Sequence, residues 1–145
     1  MPEARFDFVR FGIAAYGFSP FDNCTGAELG LEPVMRLEAP VIEIHVGGTT
    51  RARLAIGYGD GVPTLGIAKT SVLLAGHRCP VIDVEVDSMI VDPGSARVNV
   101  GDTAVLFGTG RSGDVTAEKY ADWAETIADE MVTGVGARVP RVYEN

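Results

Sequence analysis

The stretch that decides the fold is Val41–Asp60, which reads VIEIHVGGTTRARLAIGYGD. Two runs that alternate apolar and polar residues, Val41–Val46 and Arg51–Ile56, flank the turn residues Gly47–Thr50. Alternation with a period of two predicts half-buried strands, and paired glycines between two such strands suit a tight β-turn. The stretch therefore predicts a β-hairpin, which runs directly into the glycine-rich segment Gly57–Gly61.

The length of the turn determines which side chains face each other across the hairpin. With a three-residue turn, His45 falls opposite Arg51, and Glu43 falls opposite Arg53. Residues two apart in a strand share a face, so these four side chains form one polar face. Two interpretations stay open: a solvent-exposed face with ordinary cross-strand pairs, or a cavity lining in which a Glu–Arg pair binds a carboxylate and His45 serves as acid or base.

The 18 glycines and 8 prolines are spread along the chain and separate short apolar runs. Short strands at this spacing predict an all-β barrel or sandwich. An interruption at Pro40 predicts a bulge or an edge in the strand that contains it. The predicted strands outside the hairpin are Val9–Tyr16, Met35–Ile44, Val72–Leu74, Val81–Val91 and Thr103–Phe107.

One helix is predicted, over about residues 116–128. Thr116 is a suitable N-cap, and Glu118 in the first turn complements the helix dipole. Tyr120, Trp123, Ala124 and Ile127 recur at helical spacing. This face predicts packing against one end of the barrel, with ligand binding by the two aromatic residues as the alternative.

Two further groups of residues are candidates for chemistry. Asp83, Glu85 and Asp87 alternate along the predicted strand Val81–Val91, which would place three carboxylates on one face. Such a face is solvated, ion-paired, an acid/base site, or, less favoured in the absence of nearby histidine and cysteine, a metal site. Tyr58 and Asp60 lie between glycines, which indicates either a purely structural turn or a tyrosine donor beside a carboxylate that faces a pocket.

Composition excludes several classes of protein. A length of 145 residues predicts a single domain over residues 1–145. The formal net charge of −8 argues against nucleic acid and against an anionic membrane as the main partner. There is no apolar run of the roughly 18 residues that a membrane-spanning helix needs. MPEARFDF at the start does not read as a secretory signal, and Cys24 and Cys79 are expected as free thiols, so a cytoplasmic protein is the expectation.

Five motifs, in order, carry a resemblance to a known family. They are VRFGIAAYGFSP at Val9–Pro20, AIGYGDGVP at Ala55–Pro63, VNVGDTAVLFG at Val98–Gly108, VTAEKYADWAETI at Val115–Ile127 and ARVPRVY at Ala137–Tyr143. Together they resemble the C-terminal β-domain of alanine racemase, entered from the last strand of its N-terminal barrel. The resemblance implies a mostly antiparallel β-barrel of that type with one short helix. It also implies that such a domain works with a barrel that holds pyridoxal phosphate (PLP) on a lysine, which this chain lacks.

Carried over residue by residue, the resemblance is incomplete at the positions that matter for PLP chemistry. Arg10, Gly12 and Ile13 match positions near the PLP ring nitrogen and phosphate, and Tyr58 matches a tyrosine at the active-site entrance. The catalytic tyrosine of the family lies in a Ser-Tyr-Gly loop, which the short turn Gly47–Thr50 replaces here. The Met-Asp-Gln motif reads Val86-Asp87-Ser88, and Ala137 and Asp129 stand where the family has tyrosines. The expectation is that the chain alone is not a PLP racemase and uses no cofactor and no metal.

Three functional hypotheses follow. The first is a cofactor-independent isomerase or cyclase acting on a small molecule in a biosynthetic pathway. The second is a non-catalytic binding or assembly module, or a partner subunit of a PLP-barrel protein, and the third is an inactive relic. A homodimer is expected, since the face that a PLP barrel would cover is left exposed. For the enzyme, the candidate catalytic residues are Glu43, His45, Tyr58, Asp60 and Asp87, and the candidate substrate-binding residues are Arg51, Arg53 and Glu85.

Overall fold

A computed structural model describes residues 7–8, 10–21 and 23–144. Over these residues, six antiparallel strands close into a barrel in the order β1-β2-β5-β4-β3-β6, with β6 pairing back to β1. The strands are β1 (Leu37–Val46), β2 (Thr50–Leu54), β3 (Ser71–Leu74), β4 (His77–Val84), β5 (Met89–Val91) and β6 (Thr103–Phe107). The predicted antiparallel β-barrel is therefore confirmed.

The barrel interior is filled by the inward-facing residues of the strands. In β1, Leu37, Ala39 and Val41 are buried, and in β2, Ala52 and Leu54 are fully buried. This alternation is the period-two pattern by which a strand buries one face. Pro40 pairs with Thr103 where β1 passes from β6 to β2, and the register of β1 shifts on either side of it, so the predicted bulge is confirmed.

The hairpin register predicted from the sequence is confirmed. His45 pairs with Arg51 and Glu43 pairs with Arg53, and a three-residue turn separates Val46 from Thr50. β2 is shorter than expected, because it ends at Leu54 and the chain then leads into the turn Tyr58–Asp60.

The predicted strand Val81–Val91 is wrong. The chain reverses over residues 85–88, where Glu85 N–H donates to Ser88 O, so that β4 and β5 form a hairpin. Asp83, Glu85 and Asp87 therefore do not share one strand face: Asp83 is the second-last residue of β4, whereas Glu85 and Asp87 lie in the turn. This turn lacks glycine and proline, the strongest turn signals, and Asp87 and Ser88 are the only common turn residues in it.

The predicted strand Val9–Tyr16 is also wrong where it is described. Gly12–Tyr16 is a 3₁₀ helix that ends at Gly17, whose N–H donates to Ala14 O. Val9 lies outside the described residues. The segment is short and apolar, and such a run does not distinguish strand from helix by its pattern alone.

The helical region near the C-terminus begins as predicted at the N-cap Thr116, whose hydroxyl accepts Lys119 N–H. It is divided into α1 (Ala117–Trp123) and α2 (Ala128–Thr133) by a break at Glu125, which has a φ of 55°. Tyr120 is buried edge-on against Phe107 of β6, whereas Ile127 is 64% exposed. The helices thus cover one end of the barrel. The helical face that packs there is narrower than predicted, because it does not include Ile127.

Two other expectations concern cysteine and membranes. Cys24 and Cys79 are free thiols, as predicted. Within the described part of the chain, every helix is too short or too polar to span a lipid bilayer.

Candidate functional site

An open cleft lies on the outer face of β1, β2 and β5. Its volume is about 250 Å³. We call it the hairpin cleft; its lining residues are Glu43, His45, Arg51, Ala52, Arg53 and Ile90. The cleft therefore brings together the four polar side chains that the hairpin register placed on one face.

Arg53 ties the hairpin to the turn between β4 and β5. Its Nη1 donates to the carboxylate of Glu85 and to Ser88 Oγ at 2.8 Å, and its Nε donates to Glu43 Oε2 at 3.2 Å. The hydrogen bond from Ser88 Oγ and those from Arg53 lower the pKa of Glu85. Glu85, predicted to bind substrate, thus holds Arg53 in position from the β4–β5 turn.

Arg51 is held in a similar way by a carboxylate that the sequence analysis did not single out. Its Nη1 lies 2.6 Å from Asp92 Oδ2 and also donates to Thr50 O at 3.1 Å. The Gly94 N–H and Arg51 both lower the pKa of Asp92. Asp92 follows β5, which pairs with β2, so the pairing of these two strands explains the contact.

Asp60 lies away from the hairpin cleft and is almost fully buried. Both of its carboxylate oxygens contact the guanidinium of Arg138, at 2.8 Å from Nε and 2.7 Å from Nη2. Oδ2 also accepts the Gly57 N–H at 3.0 Å. The hydrogen bonds from Arg138 lower the pKa of Asp60 despite its burial. This geometry anchors the C-terminal segment to the Tyr58–Asp60 turn and engages both carboxylate oxygens of Asp60 in three hydrogen bonds.

Tyr58 and Asp87 do not line the hairpin cleft either. Tyr58 is half exposed, and its N–H donates to Glu85 O, which places the Tyr58–Asp60 turn against the β4–β5 turn. Asp87 is exposed in the latter turn and contributes, after Asp60, to the raised pKa of Arg138. Of the five predicted catalytic residues, the cleft brings together Glu43 and His45 only.

The described residues do not supply a lysine in the hairpin cleft that could hold PLP. Lys69 and Lys119 are exposed and pair with Glu125 at 3.6 Å and Asp122 at 3.4 Å, and neither lines the hairpin cleft. Arg10 and Gly12 are exposed on the N-terminal segment outside the barrel. Across residues 7–8, 10–21 and 23–144, no group of three histidine, cysteine or carboxylate side chains is placed to hold a metal ion.

Residues 43–143 match the family described as alanine racemase, C-terminal domain. The alanine racemase of Thermobifida fusca is 41% identical over 98% of this chain. The structure of alanine racemase from Streptomyces coelicolor superposes with a TM-score of 0.88 at 40% identity and covers the whole chain. The enzyme from Streptomyces lavendulae superposes with a TM-score of 0.86 at 37% identity.

These proteins are much longer than this chain, which spans 42% of the length of the Thermobifida fusca relative and 43% of the two Streptomyces structures. The first of these alignments runs over 159 positions, more than the 145 residues present, so it includes gaps in this chain. Such gaps agree with a loop that is shorter here, as the three-residue turn of the β1–β2 hairpin indicates.

Proposed function

Because the chain belongs to the alanine racemase C-terminal domain family, we propose that it functions as the β-domain of an alanine-racemase-type assembly. In this role it docks onto a PLP-binding barrel that is supplied by the rest of a longer protein or by a second chain. Its own residues provide the docking surface and the scaffold, and the partner barrel provides the cofactor site.

The observation that carries this proposal is uncovered apolar surface on the N-terminal segment. Phe8 is 92% exposed, Phe11 67%, Phe21 60% and Val34 72%. These residues precede both the barrel and the stretch that matches the C-terminal domain, yet the Streptomyces coelicolor structure covers the whole chain. They therefore correspond to a part of the racemase that lies ahead of its C-terminal domain. An apolar surface of this kind is typical of a protein interface.

In this proposal, the lysine that binds PLP belongs to the partner barrel. PLP enzymes hold the cofactor on a lysine, and both lysines of this chain are exposed and lie outside the hairpin cleft. When bound in the assembly, PLP would supply the electron sink for chemistry at the α-carbon of an amino acid. The proposal assigns no step of that chemistry to this chain, since its short β1–β2 turn replaces the loop that the family resemblance associates with the catalytic tyrosine.

A hybrid protein tests the proposal. The part of the Streptomyces coelicolor racemase that precedes the matched region is fused to this chain, and cofactor retention after gel filtration is measured from PLP absorbance. We expect the hybrid to retain about one PLP per chain and the isolated chain to retain none.

A matched pair of variants makes the test specific to the docking surface. Phe11→Ser in the hybrid removes an exposed ring from the N-terminal segment and should reduce cofactor retention. Ile127→Ser removes an equally exposed side chain from the α1–α2 connection and should not. Failure of the folded hybrid to retain PLP, or equal effects of the two substitutions, would contradict the proposal.

The cofactor-independent isomerase or cyclase is the second candidate. Its support is the convergence of Glu43, His45, Arg51 and Arg53 in one cleft. Against it, Tyr58 and Asp87 lie outside the cleft and Asp60 is held by Arg138. For either candidate function, we also propose a homodimer and a cytoplasmic location. Sedimentation equilibrium at micromolar concentration tests the homodimer.

A further inference from the structure

The outer end of β1 is a strand edge without a neighbour. β6 begins at Thr103, which pairs with Pro40. The residues ahead of β6 reach one residue further along β1, where Gly101 N–H donates to Val41 O. Beyond that point, among the residues that the structure describes, β1 pairs with β2 alone, in regular register over residues 43–46. The second edge of this part of β1 is therefore available to another strand.

This edge lacks most of the features by which proteins protect such edges. Edge strands are commonly blunted by lysine, by proline or by a bulge. Residues 42–46 read IEIHV, without lysine or proline, and the bulge in β1 precedes Glu43. Three of these residues are β-branched and favour strands. Two of the three, Ile42 and Val46, are 48% and 78% exposed.

The side chains along this edge are complementary to themselves. When two copies pair antiparallel about a two-fold axis at Ile44, each Glu43 lies opposite the partner's His45. In the same register, each Ile42 lies opposite the partner's Val46. An imidazole N–H can donate to a carboxylate, so both copies gain one polar and one apolar cross-strand pair. An axis at Glu43 or at His45 would instead oppose that residue to its own copy.

From this self-complementarity we propose that a second copy of the chain docks on the edge by antiparallel pairing of residues 42–46. The two β1–β2 hairpins then form one four-stranded sheet, as in other cases of β-strand addition. The hairpin cleft lies on the outer face of the same strands, so the pairing places the partner's His45 beside the cleft residue Glu43. The inference rests on the homodimer proposed above, to which it assigns a surface and a register, and it requires no PLP barrel.

Cysteine cross-linking tests the register. A single strand pair is a small interface, so we expect a Kd of about 10–100 µM and mix E43C and H45C chains at about 100 µM before oxidation. The two new thiols are directly opposed only in the mixed dimer, which also keeps one Glu43–His45 pair, and should form a disulfide there. Each variant alone places its thiols on a diagonal and should give at least about fivefold less linked dimer. These single-variant controls also account for Cys24 and Cys79, which every chain contains.

A matched pair of lysine variants measures the contribution of the edge. V46K puts a charge opposite the partner's Ile42 and should raise the dimer Kd at least about tenfold in sedimentation equilibrium. V142K changes a valine of similar exposure, 83%, in the C-terminal segment and should leave the Kd unchanged. Both valines are exposed, so both variants should keep the urea unfolding midpoint of the wild type.

The outcomes separate this surface from the homodimer itself. Excess linked dimer in the mixture, together with a weaker V46K dimer, would support the edge pairing. A wild-type dimer without that excess, or equal effects of V46K and V142K, would overturn the edge pairing and leave the homodimer to another surface. A wild-type chain that stays monomeric at the cross-linking concentration would overturn both.

Discussion

At the scale of single residues, Asp60 shows how a side chain can be noticed in the sequence and still be misread. Its glycine-rich surroundings drew attention to it as an acid/base candidate beside Tyr58. Its partner Arg138 lies 78 residues further along the chain, and no local pattern connects the two. The pairs within the β1–β2 hairpin, in contrast, were predictable because strand alternation and turn length fix them locally.

Replacement of Asp60 by asparagine tests its structural role. Asp60 is 2% exposed and forms a two-point ion pair, although the side chain of Arg138 is 61% exposed. Breaking a fully buried pair costs about 3–5 kcal/mol, and solvent around Arg138 reduces this, so we expect D60N to lower the free energy of unfolding by about 2–3 kcal/mol. Urea unfolding at pH 7 measures it. The control E32Q, at an exposed pair, should change it by less than about 0.5 kcal/mol.

The difference between wild type and D60N should depend on pH. The hydrogen bonds from Arg138 lower the pKa of Asp60 in the folded state below the value of about 3.9 expected in the unfolded state. A group with a lowered folded pKa stabilises the protein above its unfolded pKa, and this stabilisation is lost as the pH falls through the folded pKa. The difference should thus be constant above about pH 5 and shrink below about pH 4. A difference that grows toward low pH would refute this assignment.

At the scale of secondary-structure elements, the accuracy of the prediction depended on local turn chemistry. The β1–β2 and β3–β4 turns contain glycine, and β3 and β6 were found close to or at their predicted bounds. The β4–β5 turn, residues 85–88, lacks glycine and proline, so two strands were read as one long strand. The helix break at Glu125 was missed for a different reason: α1 ends locally, with Thr126 N–H donating to Ala121 O around a left-handed Glu125, and a left-handed glutamate is not a pattern that the sequence displays.

The contact between the Tyr58–Asp60 turn and the C-terminal segment gives a test at this scale. Gly61 has a φ of 97°, and a Cβ there would overlap Gly134 O. Gly76, in the β3–β4 turn, has a φ of 76° and open space around it. We expect G61A to destabilise the fold by at least about 2 kcal/mol more than G76A. Both variants place an alanine in a left-handed backbone conformation, but only the alanine at position 61 also clashes with Gly134 O. Thermal and urea unfolding of both variants measure this, and equal losses would show that the close approach to Gly134 is not tight.

At the scale of the whole molecule, the sequence established the barrel and its family, whereas the arrangement of the candidate site came from the structure. Composition and five ordered motifs were sufficient to predict the barrel and its family. The convergence of Glu43 and His45 with Arg51 and Arg53 was predictable from one hairpin. The separation of Tyr58, Asp60 and Asp87 from that cleft was not, because it depends on the β4–β5 turn and on the long-range contact with Arg138.

The exposed apolar surface of the whole molecule is the reason for proposing the domain as part of a larger assembly. The barrel core is complete, yet rings at Phe8, Phe11 and Phe21 remain exposed on a segment outside the barrel. These exposed rings support the proposal that the chain acts as one component of a docked pair. In the proposed assembly, burial of the rings by the partner surface would offset the free-energy cost of exposing them.

Hydrogen exchange measured by mass spectrometry tests this central claim most directly. Exchange of amides in residues 7–36 is compared between the isolated chain and the hybrid that carries the Streptomyces coelicolor barrel. We predict at least about tenfold slower exchange of this segment in the hybrid, with amides of β3 and β6 unchanged, because docking covers the N-terminal segment and leaves the barrel core as it is. Equal exchange of residues 7–36 in the isolated chain and in the folded hybrid would contradict the proposed docking.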